Sequence, residues 1–198
     1  MKRAVITVVL AVFVLSALSY AQTTSTVGNW RVGVGLDAGL PTGDFNNVSS
    51  FGIGGHVGAG YVVDPNAVLS LKIGYLHFSG KDVTVTVDTP LGPVTETASG
   101  GSLSVVPILV GGKYFFSPPG DMRWYGAADI GLYIISASGG GSSASSSKFG
   151  VSPAFGGQFK AGDNMWVDAH VNYTDVFTDV SSSSWIGIGV GLIFDLKQ

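Results

Sequence analysis

Trp30-Arg31-Val32-Gly33-Val34-Gly35-Leu36-Asp37-Ala38-Gly39-Leu40 decides the fold class. Trp30, Val32, Val34, Leu36, Ala38 and Leu40 fall on one side of a period of two. Arg31, Gly33, Gly35, Asp37 and Gly39 fall on the other. A helix would scatter both sets around its circumference, and each interior glycine would cost it about 1 kcal/mol. An extended strand with one apolar and one small or polar face is the reading that remains.

The same rule recurs over 51–63, 67–79, 103–116, 123–136, 149–161, 165–175 and 185–196. The spacing therefore predicts eight strands of about 11 to 14 residues. Ordinary strands peak near 5–6 residues, whereas a tilted strand crossing a bilayer needs about 9–11. The links alternate in length. Residues 64–66, 117–122 and 162–164 make short, turn-rich connections, and 41–50, 80–102, 137–148 and 176–184 make long ones. Short turns on one rim and long loops on the other is the layout of a bacterial outer-membrane barrel.

Composition agrees. Charged residues are 12% of the chain, about half the usual share for a soluble domain. There are 30 glycines with no collagen period and no cysteine. The absence of cysteine excludes a disulfide scaffold, a Cys-ligated metal or iron–sulfur site, a Cys nucleophile and a lipidated N-terminal Cys. A net charge of −3 gives no electrostatic case for nucleic acid.

Residues 1–21 have the three parts of a secretory signal peptide: Lys2 and Arg3, an apolar run from Ala4 to Leu18, and Ser19-Tyr20-Ala21 as a small-residue cleavage site. A short leader, 22–28, and a barrel domain, 29–198, are expected to follow. Removal of Lys2 and Arg3 leaves eight basic residues against 13 acidic.

The position of each charge separates inside from outside. Arg31, Asp37, Lys72, Lys113, Arg123, Asp129, Lys160, Asp168 and Asp195 lie on the polar phase of the strands, and every other charge of the mature chain lies in a loop or turn. None lies on the apolar phase, where Lys or Arg at a bilayer midplane costs about 2–4 kcal/mol. The polar face is too glycine-rich and sparsely charged for a soluble exterior. It suits the lumen of an eight-stranded barrel, which is just wide enough for side chains to fill. Opposite charges are expected to pair there, because buried charges must. With His56 and His170, these residues form an expected interior polar network and a plugged core. A soluble secreted barrel, apolar inside and polar outside, is the competing arrangement.

On the apolar phase, Trp30, Tyr61, Tyr114, Phe116, Trp124, Phe159 and Phe194 gather near the short-turn rim. Phe51, Tyr75, Phe149 and Tyr173 gather near the long-loop rim. Two such girdles are expected at headgroup level.

The chain resembles the outer-membrane beta-barrel domain family, the small OmpA/OmpX-type barrels. The resemblance rests on Val32-Gly33-Val34-Gly35-Leu36 with Pro41-Thr42-Gly43-Asp44-Phe45, on Pro107 to Phe116, and on Gly187 to Phe194. It covers essentially the whole mature chain. It implies an eight-stranded antiparallel up-and-down barrel in the outer membrane of a Gram-negative-type bacterium, reached through the periplasm. It also implies that the barrel-assembly machinery reads the last strand, where Gly189, Leu192 and Phe194 resemble the signal. Asp195 to Gln198 extend beyond the usual terminal aromatic.

Chemistry is sparse. Asp168, His170 and Asn172 share one strand face, and a carboxylate beside a histidine can orient a general base. No serine is singled out as a nucleophile, so the group reads as part of the interior network. The three histidines lack metal-ligand spacing. Glycine pairs within 52–60 lie in a strand, not in a strand–turn–helix that would cradle phosphate. No catalysis, metal or cofactor is expected.

Among the loops, 139–147 is a Gly/Ser tract, flexible by composition. Val83, Val85 and Val87 alternate with threonine before a turn at Thr89-Pro90-Leu91-Gly92-Pro93 and a return over 94–97. This predicts a hairpin extending beyond the membrane. An exposed strand edge can recruit another protein's strand, which marks 81–97 as the place for a surface partner; a plain solvated protrusion fits the same composition. The expected partners are otherwise membrane lipids. The function expected is structural or surface-interaction. A small channel or hydrophobic-solute transporter and a lipid A-modifying enzyme are the alternatives.

Overall fold

The computed structural model describes residues 27–81, 83–89, 92–98, 100–139, 142–177 and 182–196. The segment read as a signal peptide lies outside these residues. In chain order the elements are β1 (Trp30–Thr42), α1 (Phe45–Val48), β2 (Ser49–Asp64), β3 (Ala67–Gly80), β4 (Val83–Thr89) and β5 (Gly92–Ala98). Next come β6 (Ser102–Phe115), β7 (Met122–Gly139), β8 (Ser142–Lys160), β9 (Met165–Phe177) and β10 (Ser182–Leu196).

Eight strands close into an antiparallel barrel in the order β1-β10-β9-β8-β7-β6-β3-β2. Closure runs through β1, which pairs Trp30 with Leu196 of β10 on one side and with Tyr61 of β2 on the other. Every barrel neighbour other than β1–β10 and β3–β6 is joined directly along the chain, which is the up-and-down topology. The remaining pair, β4 and β5, forms a separate two-stranded sheet between β3 and β6. The hairpin expected within 81–97 is thus formed, as its own sheet.

The period of two places side chains as the pattern requires, with one correction. Asp175, expected in a loop, lies within β9 on the outward phase of Tyr173, where the Ser184 hydroxyl donates to it. Leu36, Ile53, Leu69, Val110, Leu132 and Ile188 are exposed on the outer face, while Arg31, Asp129, Gln158 and Asp168 are buried inside. An apolar exterior of this extent would be unstable in water and is the expected face toward lipid.

Glycine makes the narrow interior possible by giving large inward side chains room. Tyr125 lies opposite Gly156, where a Cβ would come within 2.6 Å of the phenol. Phe78 fills the space left by both Gly39 and Gly52, and Tyr133 crowds Gly150 at 2.8 Å. His56 and His170 occupy the space beside Gly35 and Gly189.

Two further expectations are corrected. The 137–148 tract is not a long flexible loop. β7 runs for 18 residues and β8 for 19, pairing continuously from Met122↔Phe159 to Gly139↔Ser142. Backbone hydrogen bonds to a neighbouring strand need no hydrophobic alternation, so a serine tract can complete the ladder. The interior is also not polar throughout. Phe45, Leu76, Phe78, Val105, Leu109, Tyr133, Val176 and Trp185 form an apolar cluster at the long-loop end. Val62, Val68, Phe115 and Tyr125 form another at the short-turn end. The polar residues lie between them as a belt.

Candidate functional site

The belt is built from inward positions on every barrel strand. Arg31 on β1 donates from Nε to Asp195 Oδ1 of β10 at 2.5 Å, with both side chains almost fully buried. Trp166 Nε1 donates to the other oxygen of Asp195 at 2.9 Å. Asp195, the first residue past the terminal aromatic, is thus an inward residue that closes the β1–β10 seam. Arg31 also donates to Gln158 Oε1 at 3.2 Å, and Gln158 Nε2 donates to Asp168 Oδ2 at 2.9 Å.

Asp168 is the hub. It accepts from Lys113 Nζ at 3.0 Å and from the Tyr125 hydroxyl at 2.9 Å, and meets His170 Nδ1 at 3.0 Å. On its far side, His170 faces Asp37, with Nε2 and Oδ1 3.8 Å apart. Asp37 is held by His56 Nδ1 at 2.6 Å, and the two imidazole rings lie 5.9 Å apart. Lys72 and Asp129 form a further pair at 2.8 Å, joined by the Ser70 hydroxyl. Each buried carboxylate thus faces a cation or an imidazole, as burial of charge demands.

Of the eleven residues expected in the network, nine meet: Arg31, Asp37, His56, Lys72, Lys113, Asp129, Asp168, His170 and Asp195. Arg123 stands apart at the short-turn end. Its guanidinium donates to the Pro65 carbonyl and Asn66 Oδ1 and lies 4.1 Å from the Phe115 ring centre, so it seals the turn instead of joining a carboxylate. Lys160 is exposed, because the inward phase ends at the rim before reaching it. Gln158, Tyr125 and Trp166 are network members that charge counting passes over. Their inward phase in the sequence was the available signal.

The belt encloses a chamber of about 110 Å³, lined by Arg31, His56, Lys72, Lys113, Asp129 and His170 among others. A wider cavity of about 470 Å³ lies at the long-loop end, between α1 and the upper parts of β6, β7 and β8. The aromatic cluster containing Phe45, Phe78 and Trp185 is at that same end; Phe45 sits edge-on against Phe78 at 5.1 Å.

On the outer face, Trp30, Tyr61, Tyr114, Phe116, Trp124 and Phe159 are exposed at the short-turn rim, as a girdle requires. Phe194 is the exception. It is 4% exposed against 60% for Tyr114, flanked across the ladder by Val32 and Met165. At this strand end the outward ring is covered by its surroundings, and it contributes no girdle surface. Phe51, Tyr75, Phe149 and Tyr173 are exposed at the other rim.

Among the described residues, no group of three His, Cys, Asp or Glu could hold a metal ion. His56 and His170 turn ring nitrogens to carboxylates inside the lumen, whereas His77, on the outer phase of β3, lies 3.2 Å from Ser104 Oγ.

A closed antiparallel barrel with an apolar exterior, two aromatic rims and a paired polar belt inside defines a transmembrane β-barrel. The chain belongs to the outer membrane protein beta-barrel domain family, whose model matches residues 7–194. No curated protein matches it. Among solved structures it is similar to Neisserial surface protein A, at 15% identity and a TM-score of 0.64, over 83% of this chain and 96% of that one. It is similar to the outer membrane protein OprG from Pseudomonas aeruginosa, at 10% identity and 0.59, over 90% and 100%. A third is Ail, the attachment invasion locus protein of Yersinia pestis, in complex with the heparin analogue sucrose octasulfate, at 13% identity and 0.55, over 86% and 100%. At such identities the likeness is one of fold.

Proposed function

We propose that this outer-membrane barrel is a closed, non-catalytic protein with a structural or surface-interaction role, exported through the periplasm. On this reading the barrel-assembly machinery engages its last strand, and the β4–β5 hairpin offers an edge to a surface partner. The observation that carries the closed lumen is the stacking of three layers inside it. Phe45, Phe78, Tyr133 and Trp185 close the long-loop end, the belt pairs its charges, and Phe115, Tyr125 and Val62 close the short-turn end. A water path would have to break an apolar layer at both ends.

The same layers argue against the lipid A-modifying alternative. His170 and Asp168 are buried inside the lumen, so an acyl chain or phosphate in the bilayer has no route to them. The cavity of about 470 Å³ favours the transporter alternative at the long-loop end only, because its lining stops at residues such as Val48, Leu103 and Ala137 and reaches none of the belt.

Planar-bilayer recording of the full-length mature protein tests the reading. The native protein is expected to give no unitary steps. The Phe45→Ala/Phe78→Ala/Trp185→Ala variant is expected to raise leak current without changing heat-shifted migration in detergent. Regular steps from the native protein would refute the closed lumen.

A further inference from the structure

The outer face of the barrel changes chemistry at one height on four adjacent strands. On β7 the outward residues run Trp124, Gly126, Ala128, Ile130, Leu132 and Ile134, then Ser136 and Ser138. On β8 they run from Phe159 up to Phe149, then Ser147, Ser145 and Ser143. Trp124 to Ile134 and Phe159 to Phe149 each span ten positions. At about 3.3 Å per residue and a tilt near 40°, that is about 25 Å of height, which matches the apolar band of an outer-membrane barrel.

Above this line the register aligns polar side chains in rows. His77 of β3 pairs with Ser104 of β6, Ser104 with Ser136 of β7, and Ser136 with Ser145 of β8. One row higher, Ser102 pairs with Ser138, and Ser138 with Ser143. The groups are already oriented by one another. Ser104 Oγ lies 3.0 Å from the Tyr75 hydroxyl and 3.2 Å from His77 Nδ1, and Ser136 donates to Ser145 at 3.3 Å. These two rows carry no Lys or Arg.

We propose that this hydroxyl-bearing outer face of β3, β6, β7 and β8 is a docking surface for the sugar headgroup of an outer-leaflet glycolipid. The face continues the lipid-facing band upward without a break, so whatever stands above the acyl chains beside this wall stands against it. Neutral donors and acceptors in rows suit sugar hydroxyls. A phosphate would call for the Arg or Lys that the rows lack. The proposal rests on the outer-membrane setting and is independent of whether the lumen conducts.

Native mass spectrometry of the detergent-solubilised full-length mature protein tests it. The probes are deep-rough lipopolysaccharide, the same glycolipid stripped of its phosphates, and phosphatidylglycerol of matched chain length. Both glycolipids are expected to bind in preference to phosphatidylglycerol. Ser104→Ala/Ser136→Ala/Ser145→Ala is expected to weaken both about tenfold and leave phosphatidylglycerol unchanged. Ser138→Ala/Ser143→Ala is expected to act in the same direction and serves if the triple variant fails to fold, while Thr42→Ala, on the opposite side, is expected to have no effect. Heat-shifted migration checks folding. Equal binding of all three lipids, loss of binding with the phosphates, or capture of a protein that neither glycolipid displaces would each overturn the proposal. So would unchanged glycolipid binding by folded serine variants.

Discussion

The barrel has a tall wall and a low one. β7 and β8 have 18 and 19 residues, against 13 each in β9 and β1. At the usual rise and tilt, the tall wall stands about 45 Å high and the low wall about 33 Å. The low wall exposes Phe177, Ile186 and Leu40 near its top, and one short polar row, Thr42, Ser184 and Asp175, lies on the same outward phase. Its firmness comes from inside, where Arg31 and Asp195 pair across the β1–β10 seam. The tall wall ends outward in serine and is held by the backbone ladder from Met122 to Gly139. Both walls have main-chain ladders, but the low wall adds a buried charge pair across its seam. The crown of the tall wall, from Ser142 to Lys148, has its ladder to β7, so the two should fail differently.

The largest effect is expected on the low wall. Asp195→Ala leaves the Arg31 guanidinium buried without its carboxylate, and urea unfolding in lipid should show a loss of about 3–5 kcal/mol. A loss under about 1 kcal/mol would mean that the seam is held by its ladder alone.

The boundary on the tall wall comes next. Ile130→Arg places a charge within the apolar band and should cost about 2–4 kcal/mol, whereas Ser138→Arg, above it on the same strand, should cost about 0–1. Equal costs would erase the boundary drawn at Ile134.

Where β8 leaves β9 and rises alone with β7, Gly150 accommodates Tyr133. Gly150→Val drives a side chain into that ring and should cost about 1–3 kcal/mol in the same assay. The smallest change is expected at the top of the tall wall. Ser136→Ala should stay within about 0.5 kcal/mol, since only an exposed side-chain hydrogen bond is lost.

The low wall was the more legible of the two in the sequence. From Trp30 to Leu40 and from Ile186 to Leu192, each outward residue is apolar and each inward one is glycine or charged, so period two alone places them. The crown of the tall wall was not legible. Ser142 to Lys148 has no alternation to read, and its strand state comes from pairing with 133–139. The interior was half legible. The inward phase of β3 runs Ser70, Lys72, Gly74, Leu76 and Phe78, so its turn from polar to apolar is visible. What that phase cannot supply is a partner. Arg123 meets Pro65 and Asn66 from another turn, and charge balance alone would have sent it to a carboxylate.

The glycines that receive the large inward rings also act as a check on strand alignment during assembly. A slip of one residue is caught at once, because it turns charge toward lipid. A slip of two is invisible to the alternation, since every side chain keeps its face. It is not invisible to Tyr125, whose space is the absent side chain of Gly156. Two positions away stand Ala154 and Gln158, and neither leaves that space open. Thus the alternation determines which way each residue points, and the pairing of ring with glycine determines which residue stands beside which.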